Sequence, residues 1–132
     1  MPLKNHRTFV KVRYAETDQM GIVHHGNYAQ YLEIARLEWL GELGISYKWM
    51  EENGVMLPVH NLNIDFKKSA YFDEELTITT TLRAIPSVRI IFDYQITNSS
   101  QEILTNASTE LIFVNTKTGK PMRCPDYILD KL

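Results

Sequence analysis

One stretch of helical periodicity, followed by little except two-residue alternation, limits this chain to very few architectures. Between about Asn27 and Leu43, the residues Tyr28, Tyr31, Leu32, Ala35, Trp39, Leu40 and Leu43 recur at helical spacing, with Gln30, Glu33, Arg36 and Glu42 on other faces. Gly44 is a natural helix stop. A second, short helix is predicted from Ser46 to Glu52, ended by Asn53-Gly54, after which Val55 to Pro58 starts extended structure.

Beyond that point the period becomes two. Leu62, Ile64 and Phe66 alternate with Asn63 and Asp65, and Leu76, Ile78 and Leu82 share one side of a Thr-rich run. Val88, Ile90, Phe92, Tyr94 and Ile96 oppose Arg89, Ile91, Asp93, Gln95 and Thr97. Pro86-Ser87 and Asn98 to Gln101 supply turns, and a last long strand is predicted from Ile103 to Asn115. Upstream of the helix, Thr8 to Tyr14 reads as a strand rich in β-branched and aromatic residues. One strand, one long apolar-faced helix and then an antiparallel meander make an α+β layer in which the sheet wraps around a central helix. No repeat, low-complexity tract or linker interrupts it, so residues 1–132 read as a single domain. Such a length buries a real core without disulfides or a structural metal. A lone sheet of this kind leaves edges and an open face, which predicts a homodimer or homotetramer.

The formal net charge of −2 argues against general electrostatic binding to nucleic acid or to an anionic membrane. Cys124 is the only cysteine, so neither an internal disulfide nor a cysteine metal cluster can form. The segment Met1 to Arg7 has no apolar core for a signal peptide, and no apolar run approaches the length of a membrane span. The expectation is a cytoplasmic protein with a small-molecule or protein partner.

Chemistry concentrates in Tyr14-Ala-Glu-Thr-Asp18-Gln-Met-Gly21-Ile-Val-His-His25-Gly-Asn27-Tyr28, immediately before the long helix. A carboxylate near a helix start faces unsatisfied backbone N–H groups and the positive end of the macrodipole, a setting that keeps it ionised and can stabilise an oxyanion. The commonest job of such an aspartate is a turn or cap, and Asp18 alone would not decide between the two. Asp18, His24 and His25 also invite a zinc reading, but adjacent histidines usually point apart, and His6 and His60 have no ligand-like spacing. No metal is expected. Ser46, Ser69 and Ser87 lack the Gly-x-Ser-x-Gly elbow of a serine hydrolase.

With Tyr14, Thr17-Asp18, Gly21, Val23, His25, Asn27-Tyr28 and Ala35-Arg36 in this order, the chain resembles the hotdog-fold acyl-CoA thioesterases related to 4-hydroxybenzoyl-CoA thioesterase. Lys68 to Leu76 is similar to that family's approach to its long strands, and Asn115 to Pro125 resembles its closing turn. The resemblance implies hydrolysis of an acyl-CoA to a carboxylic acid and free thiol, with no cofactor. It makes Asp18 the catalytic carboxylate, either attacking the thioester carbonyl or activating water, and makes the backbone N–H of His25 the donor to that carbonyl. Gly21 permits the tight loop. The His25 side chain is as readily structural as catalytic, and His24 is assigned no chemistry.

Coenzyme A carries several phosphate charges, for which Arg89, Lys120 and Arg123 are the candidate cations; Lys67, Lys68 and Lys117 read as solvated surface. An apolar acyl pocket would draw on residues after the helix, such as Ile45, Tyr47 and Trp49, which equally suit an ordinary core. Glu33 and Arg36 read as a polar pair near a dimer seam or as a solvated helix face. Two other readings stay open at this point: hydrolysis of acyl groups carried on acyl carrier protein, and acyl-CoA binding without catalysis.

Overall fold

The long apolar stripe forms α1, Tyr28–Glu42, and it buries Tyr28, Tyr31, Leu32, Ala35, Trp39 and Leu40 against the sheet. The computed structural model describes residues 5–132; the first four residues of the amino-terminal segment, read above as lacking a signal peptide, lie outside it. Gly44 takes φ +80° just past the helix and its N–H returns to Gly41, so the chain reverses where a side chain at Cβ would be strained. Ser46 then caps α2, Tyr47–Glu52, its hydroxyl accepting from the Trp49 N–H.

Among the described residues, seven strands follow or precede these helices: β1 Asn5–Lys11, β2 Val55–Met56, β3 Val59–Phe66, β4 Glu75–Leu82, β5 Arg89–Thr97, β6 Ile103–Ile112 and β7 Val114–Asn115. Five form one sheet in the order β1-β4-β5-β6-β3, every neighbouring pair antiparallel, while β2 pairs with β7 in a small ribbon. A four-residue helix, α3 Asp126–Leu129, closes the chain and buries Ile128. The strands β4, β5 and β6 are the expected meander. Ile90, Phe92, Tyr94 and Ile96 face the core while Arg89 and Gln95 face outward. A slip of one residue would exchange the two sets and forfeit about 1.5–3 kcal/mol for each large apolar side chain exposed. Trp39 meets Phe92 edge-to-face at 4.9 Å, fixing α1 over the middle of the sheet. No helix among the described residues is long and apolar enough to cross a membrane.

Two strands end earlier than expected, and one is buried differently. The first strand ends at Lys11 instead of Tyr14, because Tyr14–Glu16 winds into a 3-10 turn whose Glu16 carboxylate accepts the Arg13 N–H at 2.8 Å. The last long strand stops at Ile112: Phe113 is fully buried and bonds Val88, and Val114–Asn115 crosses to β2. The alternating run of β3 does not bury one face. Val59, Leu62 and Phe66 are 47%, 44% and 50% exposed, because β3 is an edge strand with β6 on one side only.

Candidate active site

The segment between β1 and α1 is held as a rigid loop by bonds within it and to residues 70–74. Thr17 pairs with Val23, the Asp18 N–H donates to the Ile22 carbonyl, and the Gly21 N–H donates back to the Asp18 carbonyl. The Val23 N–H bonds Ala70, the Phe72 N–H bonds Gly21, and Ile22 bridges Tyr71. Gly21 sits at φ +78°, the left-handed region this turn requires. Asp18 is thereby presented on the exposed side of the loop, with Oδ1 accepting the Met20 N–H at 2.8 Å and the other oxygen bonded to no protein group among the described residues.

The chain enters the helix through a 3-10 turn, His25–Asn27, that leads directly into α1. His24 caps that turn, its Nδ1 accepting from the Gly26 N–H, and its ring stacks on His25 with centroids 4.3 Å apart. Being first in the turn, the His25 N–H has no carbonyl of the turn to bond, and it donates to no protein group among the described residues. It stands at the positive end of α1.

Asp18, Ile22, Val23, His24, His25, Tyr28, Phe66, Lys67, Lys68 and Ser69 together line a cleft of about 270 Å³. Asp18, whose carboxylate keeps one oxygen unbonded, and His25, whose backbone N–H is unengaged, thus line one solvent-reachable cleft. That pairing can activate a nucleophile and stabilise the oxyanion it generates. Burial raises the Tyr28 phenol above its usual range, keeping that wall neutral, and Tyr28 packs edge-to-face on Phe66 at 5.0 Å. Among the described residues no three His, Cys, Asp or Glu side chains converge to hold a metal ion.

Of the residues given a role in the sequence, Asp18 and His25 line this cleft, Gly21 turns the loop that presents Asp18, and Tyr47, Arg89, Lys120 and Arg123 stand elsewhere in the chain. Tyr47 lines a second cavity, about 240 Å³, with Glu33, Arg36, Leu37, Leu40, Leu57, Val59, Ile90, Phe92 and Leu111, and its hydroxyl accepts the Leu57 N–H. Arg89 pairs with Glu110 at 2.8 Å, next to that cavity's Ile90. Lys120 and Arg123 sit on the closing turn, where Lys120 accepts from Asn115 and the adjoining Met122 and Cys124 bond Phe113 and Ser87. Lys67 and Lys68 are exposed, as the sequence suggests, and they also line the Asp18 cleft; the only hint of that was their position immediately after β3. Glu16, two residues before Asp18, carries no sequence signal of its own, because its burial depends on Tyr31 of α1.

Residues 12–132 match the profile of the thioesterase-like superfamily. The chain is 40% identical to the DHNA-CoA thioesterase of Staphylococcus aureus, whose crystal structure aligns with a TM-score of 0.89 over 96% of this chain and 85% of that one. It is 36% identical over 114 residues to YneP of Bacillus subtilis, provisionally named an acyl-CoA thioesterase, covering 86% of this chain and 83% of the relative. A hypothetical protein of Thermus thermophilus, 36% identical, aligns with a TM-score of 0.88 over 96% and 95% of the two chains.

Proposed function

The chain belongs to the thioesterase-like superfamily, and from that premise we propose that it is an enzyme hydrolysing an acyl-CoA thioester to a carboxylic acid and free coenzyme A. The observation that carries this reading is the cleft lined by both Asp18 and His25, the latter with an unengaged N–H where the chain enters α1. The His25 N–H takes the thioester oxygen, whose charge grows as the carbonyl becomes tetrahedral; a donor of this kind is worth about 3–4 kcal/mol in known oxyanion holes. Asp18 supplies the attack. Either its carboxylate adds to the carbonyl carbon, the C–S bond breaks and water then hydrolyses the mixed anhydride, or it takes a proton from the water that adds. The thiolate leaves without metal assistance in both routes.

The working unit is a homodimer built on β3. Its free edge carries exposed Val59, Leu62 and Phe66, and α1 exposes Ile34 and Leu37 beside it, Leu37 lining the same cavity as Val59. A twofold axis through the sheet runs the two β3 strands antiparallel, so the Val59 end of one copy meets the Phe66 end of the other. Val59 belongs to the second cavity and Phe66 to the Asp18 cleft. The pairing therefore sets the Tyr47 cavity of one copy, a mostly apolar space suited to an acyl group, beside the Asp18 cleft of the other. Arg89 and Arg123 lie at the Val59 end of the sheet, with Lys120 on the turn that leads there, and they reach the same region with Lys67 and Lys68 as contacts for the coenzyme's phosphates.

One relative at 40% identity is named a DHNA-CoA thioesterase, so an aromatic acyl-CoA is the substrate to try first. Thiol release from aryl, short-chain and long-chain acyl-CoAs, alongside acyl groups on acyl carrier protein, tests the proposal. Turnover of one CoA class supports it and names the acyl group. Turnover of carrier-protein substrates alone, or of none, contradicts it.

A further inference from the structure

Glu16 is the one charged side chain that is buried among the described residues, at 7% exposure, and no part of the chemistry above uses it. Its surroundings are specific. Oε1 accepts the Arg13 N–H and the Tyr31 hydroxyl, each at 2.8 Å, while Oε2 accepts Nε and Nη2 of Arg13, each at 2.9 Å. Its main-chain carbonyl accepts two more donors, the His24 N–H at 2.9 Å and Asn27 Nδ2 at 2.8 Å. Residue 16 thus receives hydrogen bonds from Arg13, just beyond β1, from both ends of the turn that carries His25, and from the first turn of α1. Thr17 and Asp18, the next two residues, are already locked to Val23 and Ile22.

Taken together these bonds have a directional sense. The carboxylate fixes residue 16 against Arg13 and Tyr31, and the carbonyl of the same residue then sets where the His24–Asn27 turn can lie. An N–H at His25 that must point into the Asp18 cleft depends on that turn, since a misplacement on the order of 1 Å at a catalytic group can cost roughly 10²-fold in rate. An unpaired buried carboxylate would be expensive, and this one is fully partnered, so the cluster costs little stability while constraining three segments at once.

Resting on the thioesterase reading above, we infer that Glu16 is the positioning residue of this site: it holds the His24–Asn27 turn, and with it the His25 N–H, in register with Asp18. It touches no substrate. Its role is to keep two catalytic groups on separate segments at a fixed separation, through Tyr31 on one side and Arg13 on the other.

The test compares Glu16→Gln with Ile128→Val, a buried truncation in α3, which lines neither cavity. Two readouts are needed: kcat and KM on a CoA ester that the wild type hydrolyses, and hydrogen exchange of the His24 amide by NMR, referred to the β5 amides. The expected result for Glu16→Gln is a kcat about 10- to 100-fold lower with KM within about threefold, and His24 exchange accelerated beyond that of β5. Ile128→Val should lower the thermal midpoint and leave both readouts in place. If Glu16→Gln does not fold, Tyr31→Phe removes one of the four donors to the carboxylate and is read the same way. A kcat loss no larger than that of Ile128→Val, or His24 exchange that tracks β5, overturns the inference. If the wild type hydrolyses no CoA ester, the functional reading fails by itself, and His24 exchange still decides whether Glu16 holds the turn.

Discussion

The hydroxyl of Tyr31, on α1, donates a buried 2.8 Å hydrogen bond to Glu16 Oε1, on the loop that carries Asp18, fifteen residues away in sequence. Helix and loop are therefore joined by a charge-assisted bond as well as by packing. Removing a donor from a buried charged acceptor costs roughly 1.5–3 kcal/mol, so Tyr31→Phe should lower unfolding free energy by about that much in urea titrations. A loss of a few tenths would mean that the bond contributes little.

The same carboxylate predicts the acid limb of the stability curve. Burial acts to raise its pKa, but the Arg13 N–H, the Tyr31 hydroxyl and the Arg13 guanidinium outweigh it and hold Glu16 below the ordinary value of 4.5. A group with a depressed native pKa stabilises the fold fully above its unfolded pKa and loses that contribution as pH falls through the native one. The stability difference between wild type and Glu16→Gln should therefore be constant above about pH 5.5 and shrink steadily below pH 4.5. A difference that persists to pH 2 would contradict this.

At Gly21 the obstacle to a side chain is conformational. A Cβ there would meet nothing within 4 Å, yet φ is +78°. Gly21→Ala should cost about 1–2 kcal/mol through backbone strain alone and, by relaxing the turn that presents Asp18, lower kcat more than it raises KM. Thermal unfolding and steady-state kinetics on one preparation check both.

The stripe that made α1 legible is a property of seven residues in one continuous segment, and β4 to β6 were legible because their alternation and their turns are local too. The position of β3 was not. Leu62, Ile64 and Phe66 alternate as a buried strand does, but the sheet order brings β6 to one side of β3 and nothing to the other, so Leu62 and Phe66 stay exposed and only Ile64 packs partly against the core. The site divides in the same way. Asp18, Gly21 and His25 lie within eight positions and could be read together, whereas the importance of Glu16 depends on Tyr31, and the placement of Lys67 and Lys68 beside Asp18 depends on how β3 turns back past Tyr28.

The exposed β3 edge makes its own prediction. Leu62→Lys places a strongly hydrated charge in the middle of the strand proposed to pair between copies, a substitution that blocks edge pairing while leaving a 44% exposed position free of internal strain. Light scattering coupled to size-exclusion chromatography should report a folded monomer with greatly reduced turnover. A fully active dimer would move the interface to another face.

The proposed chemistry turns on Asp18. Its carboxylate keeps one oxygen free while the other is held by Met20, and Asp18→Asn preserves the shape of that group while removing both its nucleophilicity and its basicity. The decisive measurement is the kcat of Asp18→Asn against wild type on the best acyl-CoA substrate, with thermal midpoint and oligomeric state matched. A fall of about 10³-fold or more, with KM changed far less, is the predicted result. Turnover within tenfold of wild type would contradict the central claim and move the chemistry to another group in the cleft.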